Sequence, residues 1–439
     1  MSHPQDLRLC EQATAIARGD LDARELFSAT LSRISERDAT INSTPVVFEN
    51  ESRTMLVDAP RGALHGVPIT VKDMFALPWR AARNGSGRDL ISATASGPFR
   101  RLRDAGAIVI GIANQHEMGM GTTGAISAYG PMGNPWNPAT CAGGSSGGSA
   151  SAVSARLVAG SLASDSAGST RLPASYCGVV GLKLTYGSVP YDGYFGASTT
   201  FSAPGVIARD GADARLLASA LLGRPLAPAS GASLRVGVVR TPFWDDVDPE
   251  IEAAGDSALC DAGWKVVELR IEHLELVGAA VLGRLIAEAT APSADVMATL
   301  SRPTRAMLLA GMLAPARYVP RADRVRAAVR AALAAAFGDV DLIAWPCTPT
   351  AAPPLSNPWV SLPSGQSPAD GPNMRQTAIA NLSGIPGISL PIGMHSSSLP
   401  MGLQLLATWG QESMLLDATE HLENVTQRAY VDLIPPLAR

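Results

Sequence analysis

The stretch Cys141–Lys183 has the sequence CAGGSSGGSASAVSARLVAGSLASDSAGSTRLPASYCGVVGLK, and it indicates the fold of this chain. Two clusters rich in glycine and serine lie within it, GGSSGGS at 143–149 and DSAGS at 165–169. Ser145 in the first cluster and Ser169 in the second are 24 residues apart. Glycine allows backbone conformations that a Cβ atom forbids, so such clusters can expose backbone amides to a ligand. The sequence between the clusters therefore decides whether they can meet.

An apolar, alanine-rich run joins the two clusters. We predict that it forms a helix over 150–158, closed by Gly160 as a C-terminal cap, and then a short strand over 161–164. Ser149 stands directly before this helix, and serine is a preferred N-cap residue, so we predict a capping role for it rather than a catalytic one. The order loop, helix, strand, loop would place both clusters side by side.

The composition of the chain excludes several classes of function. Only 17% of its 439 residues are charged and the net charge is −4, so no basic field is available for nucleic acid or an anionic membrane. Five widely spaced cysteines, without the pattern of a metal site, favour a reduced, cytoplasmic compartment and no metal. No secretory signal is evident, and no apolar stretch reaches the roughly 20 residues that span a bilayer. The phosphate-binding pattern GxxxxGK[ST] is absent, and we expect no cofactor.

The rest of the chain alternates between predicted helices and strands. The segment GVPITVKD at 66–73 is predicted as a strand that ends in a charged pair. Further strands are predicted from apolar runs at 107–112, 234–239, 264–269, 341–346, 388–392 and 402–406. We predict one continuous α/β domain over 1–439, with helices at 1–60, a core at 62–223, a Pro/Gly/Ala-rich linker at 224–232, and the remaining strands and pocket helices at 233–439.

Ser169 is a candidate nucleophile, because its cluster also offers hydrogen-bond donors. The negative charge that develops when it attacks a carbonyl could be held by the backbone N–H groups of Ser166, Ala167, Gly168 and Ser169. A serine hydroxyl is a weak nucleophile and also needs a base. His116 and His65 lie near motif-like segments, but neither has the context of a histidine relay.

A lysine can act as the base in a serine-lysine hydrolase once its amine is neutral. Neutrality near pH 7 requires the pKa to fall from about 10.4 toward about 7 or 8, which burial can achieve. Lys72, at the end of the apolar segment GVPITVKD, is well placed for burial, and Lys183 in GLKLTYG is its competitor. The residues alone leave this choice open.

Four motifs in order make the chain resemble the amidase signature family of serine hydrolases: GVPITVKD, GGSSGGS, the 24-residue gap, and the block DSAGSTRLPASYCGVVGLK. The resemblance runs from about Asp22 to Leu406. It implies a single large α/β domain with a mixed, twisted central sheet covered by helices on both faces. It also implies that Ser169 is the acylated nucleophile, that Ser145 is a bridging serine after a cis peptide bond from Gly144, and that Lys72 is the base.

The same resemblance implies supporting roles for Ser146, Asp165 and Arg171, which would hold the two loops, with Asp165 and Arg171 paired. The chain also departs from the family pattern. Ser166-Ala167-Gly168 stands where the family usually has Thr-Gly-Gly or a near relative, and Ser202 stands where an aspartate is typical. Cys141 and Cys177 lie near the site, but no base accompanies either, so we predict small buried thiols there.

The resemblance implies an enzyme that hydrolyses a C–N bond of an amide, carbamate or urea-like small molecule through an acyl-enzyme. The segments RYVPRADRVRAAVRAALAAAFGDVDLIAWPCTPTAAPP and LPMGLQLLATWGQES resemble the carboxybiuret hydrolase branch, whose members can work with a small accessory subunit. We also weigh a homodimer as the assembly. Arg317, Arg321 and Arg375 could meet a substrate carboxylate, but we predict that they are surface residues.

Two other functions are weighed against the hydrolase. The first is the glutamine-hydrolysing subunit of an amidotransferase. Two residues argue against it: Ser202, where an aspartate is typical, and Leu172, which replaces a polar residue that is usual there. The second is a non-catalytic binding protein that has kept the fold.

Overall fold

An eleven-stranded mixed sheet forms the centre of the computed structural model, which describes residues 3–228, 234–288 and 294–438. The strands are, in chain order, β1 (Val46–Val47), β2 (Pro68–Lys72), β3 (Ile108–Ala113), β4 (Gly133–Asn134), β5 (Asn137–Cys141), β6 (Gly160–Asp165), β7 (Val180–Lys183), β8 (Ala203–Ala208), β9 (Arg235–Val238), β10 (Lys265–Glu268), β11 (Leu342–Pro346), β12 (Trp359–Leu362), β13 (Gly365–Pro368), β14 (Gly387–Met394) and β15 (Pro400–Leu406).

The order of strands in the main sheet is β1-β3-β2-β6-β8-β7-β14-β15-β11-β9-β10. The edge strand β1 is antiparallel to β3. Strands β3, β2 and β6 are parallel to one another, as are β11, β9 and β10 at the other end, and the strands between these two groups are antiparallel. Strands β4 with β5 and β12 with β13 form two small separate sheets. The strands near the C-terminus thus return to the sheet that the signature region begins, which confirms the predicted single α/β domain.

Helices occupy most of the connections between these strands. They are, in chain order, α1 (Leu9–Arg18), α2 (Ala23–Arg37), α3 (Glu49–Val57), α4 (Gly97–Asp104), α5 (Gly147–Ser154), α6 (Arg171–Cys177), α7 (Gly211–Leu222), α8 (Arg240–Phe243), α9 (Pro249–Asp261), α10 (Val277–Glu288), α11 (Ala294–Thr299), α12 (Arg302–Met312), α13 (Tyr318–Asp339), α14 (Asp370–Ser383) and α15 (Glu412–Val425). None of the helices in the described ranges is both long and apolar enough to cross a membrane.

The sheet separates two hydrophobic cores, because successive side chains of a strand point to opposite faces. In β3, Ile108 and Ile110 belong to one core and Val109 to the other. In β6, Ala163 belongs to the first core and Leu162 to the second. Helices α2 and α5 pack in the first core and α7 in the second, so this part of the sheet is covered on both faces. Strands buried on both sides explain the continuous apolar runs in the sequence.

The predicted helix between the two clusters is wrong at both ends. Helix α5 begins at Gly147 and ends at Ser154, and Gly160 does not cap it but opens β6. A Cβ atom at Gly160 would lie 2.6 Å from Leu217 and 2.7 Å from Leu9, so this glycine serves close packing of helices on the strand. The chain leaves the helix at Arg156 instead, which adopts a left-handed conformation with φ of 58°.

Ser149 was also predicted wrongly as the N-cap of this helix. It lies inside the first turn, the N-cap position belongs to Ser146, and the buried Ser149 hydroxyl has no hydrogen-bond partner among the described residues. Of the predicted linker at 224–232, residues 229–232 lie outside the described residues.

Candidate active site

Lys72 is the last residue of β2 and is completely buried. Its ammonium group donates a hydrogen bond to Ser145 Oγ at 2.6 Å and another to Ser146 Oγ at 2.8 Å, and it lies 3.5 Å from the backbone oxygen of Ser164. Two of its three partners are therefore hydroxyls of the first glycine-serine cluster. A buried amine with hydroxyl partners is the arrangement that proton transfer from a serine requires.

Burial lowers the pKa of Lys72 to about 7, although the negative charge of Asp165 acts in the opposite direction. Taking an ammonium ion out of water disfavours its charged form, and no carboxylate in the described ranges forms an ion pair with Lys72 to offset that cost. Near neutral pH a large fraction of the Lys72 amine is therefore neutral and able to accept a proton.

Ser145 and Ser146 follow β5 in the loop that leads into α5. The peptide bond between Gly144 and Ser145 is cis, as the family resemblance implies. A Cβ atom at Gly144 would lie 2.5 Å from the backbone oxygen of Gly121, so only glycine fits there. The backbone oxygen of Ser145 accepts from the N–H of His116 at 3.0 Å, and the Ser146 hydroxyl donates to the backbone oxygen of Ser164 at 3.2 Å. These bonds fix both hydroxyls beside Lys72.

Ser169 lies in the second cluster, which follows β6. The two clusters touch, because the N–H of Ser146 donates to the backbone oxygen of Ser169 at 3.2 Å. Ser169 is 8% exposed, against 1% for Ser145 and 0% for Lys72, so it is the most accessible of the three. Its hydroxyl makes no hydrogen bond to any described residue. The Lys72–Ser145 half of the predicted relay is thus present as a hydrogen bond, and the Ser145–Ser169 half is not.

Asp165 and Arg171 form a fully buried ion pair, with 2.9 Å between Arg171 Nη2 and Asp165 Oδ1. This confirms the predicted pairing. Burial alone would raise the pKa of Asp165, but the adjacent Arg171 guanidinium and other donors hold it well below its usual range. The guanidinium also donates to the backbone oxygen of Thr377 at 3.0 Å and to Asn381 Oδ1 at 2.8 Å. The pair therefore ties the nucleophile loop to the C-terminal half of the chain.

The predicted set of oxyanion donors needs one correction, at Gly168. Its N–H donates to Asp165 Oδ1 at 2.7 Å, so it is directed at the carboxylate instead of toward a substrate. The N–H groups of Ser166, Ala167 and Ser169 have no acceptor among the described residues. Gly168 is needed for a different reason: its φ is +116°, and a Cβ atom there would lie 2.1 Å from Thr377 Oγ1.

One face of α14 lies along both clusters, and none of the sequence motifs indicated this. Asp370 Oδ1 accepts from the N–H and the hydroxyl of Thr122, at 2.7 and 2.8 Å, beside Gly144. Thr377 donates to the backbone oxygen of Ala167 at 2.5 Å, and Asn381 Nδ2 donates to Asp165 Oδ1 at 2.9 Å. Polar residues at helical spacing within the otherwise buried run DGPNMRQTAIANLS were the available signal.

The competing bases do not reach the serines. Lys183 is fully buried, but it donates to the backbone oxygens of Leu184 and Ile385. His116 is buried, its Nδ1 has no hydrogen-bond partner within the described ranges, and burial lowers its pKa. His65 Nδ1 lies 2.9 Å from the backbone oxygen of Pro60. Lys72 is thus the amine that contacts Ser145.

The predicted thiols and arginines also have clear positions. Burial raises the pKa of both Cys141 and Cys177 to about 12, and both are buried, as predicted. Arg317 and Arg321 are exposed, also as predicted. Arg375 is partly buried and donates to Asp246 at 2.6 Å, so its charge is already paired. No group of three or more His, Cys, Asp or Glu residues in the described ranges could hold a metal ion.

Comparison with known proteins agrees with this fold. The family model described as Amidase matches residues 25–416, nearly the whole chain, so the chain belongs to the amidase signature family. Members of this family hydrolyse the C–N bonds of amides, and the chain is a hydrolase of this class.

Three similar proteins span almost the same length. A Glutamyl-tRNA(Gln) amidotransferase subunit from Chromohalobacter salexigens is 30% identical, over 96% of this chain and 97% of that protein. A crystal structure of an amidase has a TM-score of 0.89 at 29% identity, covering 95% of this chain and 99% of that one. A structure described as a vestigial protein complex that reveals the evolutionary origins of an s-triazine catabolic enzyme, with inhibitor bound, has a TM-score of 0.89 at 28% identity, covering 97% of this chain and 100% of that one.

Proposed function

We propose that Ser169, Ser145 and Lys72 hydrolyse a small amide, carbamate or urea-like molecule through an acyl-enzyme. The observation that carries this proposal is the 2.6 Å hydrogen bond between the buried Lys72 amine, whose pKa lies at about 7, and Ser145 Oγ. A neutral amine at that distance can take the Ser145 proton. The contact between Ser146 N–H and the Ser169 backbone oxygen supports a short path from Ser145 to Ser169.

In the first half of the proposed reaction, Lys72 takes the proton of Ser145 while Ser145 takes that of Ser169, and Ser169 Oγ bonds to the carbonyl carbon. The carbonyl oxygen becomes an oxyanion beside the N–H groups of Ser166, Ala167 and Ser169, which have no other acceptor among the described residues. The C–N bond then breaks, and the proton returns from Lys72 through Ser145 to the leaving nitrogen. The product is an ester on Ser169 and a free amine.

In the second half, water attacks the ester carbon and gives its proton to Lys72 through Ser145. The bond between Ser169 Oγ and the acyl carbon breaks, and the same proton restores the Ser169 hydroxyl. The proposed cycle uses no group beyond the chain, the substrate and water. Ser146 and the pair Asp165–Arg171 hold the reacting groups and do not exchange protons.

Two observations favour particular substrates and partners. The similarity to a vestigial protein complex linked in origin to an s-triazine catabolic enzyme supports a small molecule as substrate and a partner protein. The 30% identity to a Glutamyl-tRNA(Gln) amidotransferase subunit supports, as the second candidate, hydrolysis of glutamine within a larger assembly. The two candidates differ in substrate: a small amide, carbamate or urea-like molecule in the first, and glutamine in the second.

The test is a hydrolysis screen of the purified chain over primary amides, anilides, ureas, carbamates and glutamine, with Ser169→Ala as the blank. We expect at least one small C–N substrate to be hydrolysed by the native chain and by no Ser169→Ala sample. A fluorophosphonate probe should label Ser169, located by peptide mass spectrometry. Turnover by Ser169→Ala at the native rate would overturn the proposal. Turnover of glutamine only after a partner co-purifies would select the second candidate.

A further inference from the structure

A carboxylate from α10 reaches the loop that precedes β8. This carboxylate belongs to Glu288, the last described residue of α10, whose side chain is 14% exposed. Glu288 Oε2 accepts from the Ser198 hydroxyl at 2.5 Å and from the Thr200 N–H at 3.3 Å, and Oε1 accepts from the Thr200 hydroxyl. Arg284, one turn earlier in α10, donates to Glu288 Oε1 and to Thr200 Oγ1. The end of α10 is thus joined to residues 198–200 by several hydrogen bonds.

This loop is in turn joined to the nucleophile loop. The N–H of Ser198 donates to Ser202 Oγ at 2.9 Å, and Ser202 Oγ lies 2.5 Å from Ser166 Oγ. All three serines are almost completely buried, so water does not compete for these hydrogen bonds. Ser166 carries one of the three backbone N–H groups that the proposed reaction uses at the oxyanion. A chain of hydrogen bonds therefore runs from Glu288 to the hydroxyl of the residue that carries that donor.

Glu288 is charged at neutral pH. Its partial burial would raise the pKa of the carboxyl, but hydrogen bonds from Ser198 and Thr200 and the guanidinium of Arg284 lower it below its ordinary value. An ionised carboxylate accepts several hydrogen bonds at once, whereas an amide offers one acceptor oxygen. Oε2 accepts three hydrogen bonds, from the Ser198 hydroxyl, the Thr199 hydroxyl and the Thr200 N–H, and Oε1 accepts two, so this set of bonds requires the acid.

We propose that Glu288 is a positioning residue for the oxyanion donor Ser166, acting through Ser198 and Ser202. This inference rests on the function proposed above. Glu288 touches no reacting group. By fixing Ser198 and Thr200 it fixes the Ser202 hydroxyl, which sets where the Ser166 N–H points. The oxyanion forms only along the reaction path, so loss of this control lowers kcat and leaves KM nearly unchanged.

The experiment measures kcat and KM of Glu288→Gln, Ser202→Ala and the double variant on the best substrate of the screen. We expect kcat of each single variant to fall about tenfold, less than the 10²- to 10³-fold typical of losing an oxyanion donor outright, with KM within about twofold. Because both residues act through one path, the double variant should be no slower than the slower single variant.

Asp323→Asn is the matched control. Asp323 pairs with the same Arg284, at 3.1 Å, but is 52% exposed and does not contact the loop, so kcat should stay within about twofold of the native value. A native kcat in Glu288→Gln, or losses that multiply in the double variant, would overturn the inference. If Glu288→Gln does not fold, Ser202→Ala alone decides, because it removes the middle of the path. A native chain without C–N hydrolysis removes the proposed function, and the inference with it.

Discussion

Two lysines, Lys72 and Lys183, end strands β2 and β7 and are both completely buried. Burial lowers the pKa of each to about 7, and Asp165 opposes that shift in both. They differ in their acceptors: Lys72 donates to two serine hydroxyls, and Lys183 donates to two backbone oxygens, at 3.0 and 2.8 Å. A hydroxyl can give a proton to a neutral amine, whereas a carbonyl has none to give. Burial therefore sets the proton affinity of each lysine amine. The neighbouring groups determine whether that amine can take part in proton transfer.

The largest effect should separate Lys72→Met from Lys183→Met. Methionine has a similar length and no titratable group. We expect Lys72→Met to lower kcat by at least about 10⁴-fold, because the proposed relay loses its base. Lys183→Met should keep kcat within about tenfold, but lower the free energy of unfolding by about 1 to 3 kcal/mol, because two buried carbonyls lose their donor. Steady-state kinetics and thermal unfolding of both variants measure this difference. Equal losses of kcat in Lys72→Met and Lys183→Met would contradict the assignment of Lys72 alone as the base.

The pH dependence of kcat/KM should sharpen the same comparison. Only neutral Lys72 can accept the Ser145 proton, so kcat/KM should rise with pH through the pKa of about 7 and level off above it. Below that value it should fall about tenfold per pH unit as the amine becomes charged. Lys183→Met should show the same rise of kcat/KM with pH. If kcat/KM of Lys183→Met no longer rose with pH, Lys183 would be the titrating base instead.

A smaller effect should distinguish Ser146 from Ser149, two buried serines of the first cluster. Ser146 Oγ accepts from Lys72 at 2.8 Å, whereas the Ser149 hydroxyl has no hydrogen-bond partner among the described residues. Ser146→Ala should lower kcat about tenfold, because Lys72 loses one of the two hydroxyls that orient it. Ser149→Ala should stay within about twofold and serves as the control. An unchanged kcat in Ser146→Ala would show that Ser145 alone orients the amine.

The parts of the site that short sequence motifs mark could be predicted. Strand β2 with Lys72 at its end, and the two clusters with Ser145 and Ser169, follow from local motifs, and β2 and β6 are parallel neighbours in the sheet. The relation of Asp165 to Arg171 spans six residues and was also predicted. The end of the helix before Gly160 was not predicted correctly. That glycine is required by the close packing of Leu9 and Leu217, which come from distant parts of the chain.

Contacts over long sequence distances account for most of what the sequence did not reveal. The Thr377 hydroxyl meets the backbone of Ala167 across 210 residues, and Glu288 meets Ser198 across 90. No local pattern encodes such a partner, because its position depends on how β14, α10 and α14 return to the sheet. The hydrogen bond from the Gly168 N–H to Asp165 is a local contact. It could not be predicted either, because it depends on the φ of +116° that Gly168 adopts in the loop.

The polar face of α14 has a consequence for when the chain becomes active. All three proposed reacting residues lie before residue 170, yet the carbonyl of Ala167 and the carboxylate of Asp165 are held from Thr377 and Asn381. During synthesis the nucleophile loop therefore leaves the ribosome more than two hundred residues ahead of the helix that fixes it. We expect a nascent chain that has not yet formed α14 to bear the proposed reactive groups without a working centre, because the loop that carries Ser169 then lacks its support from Thr377 and Asn381.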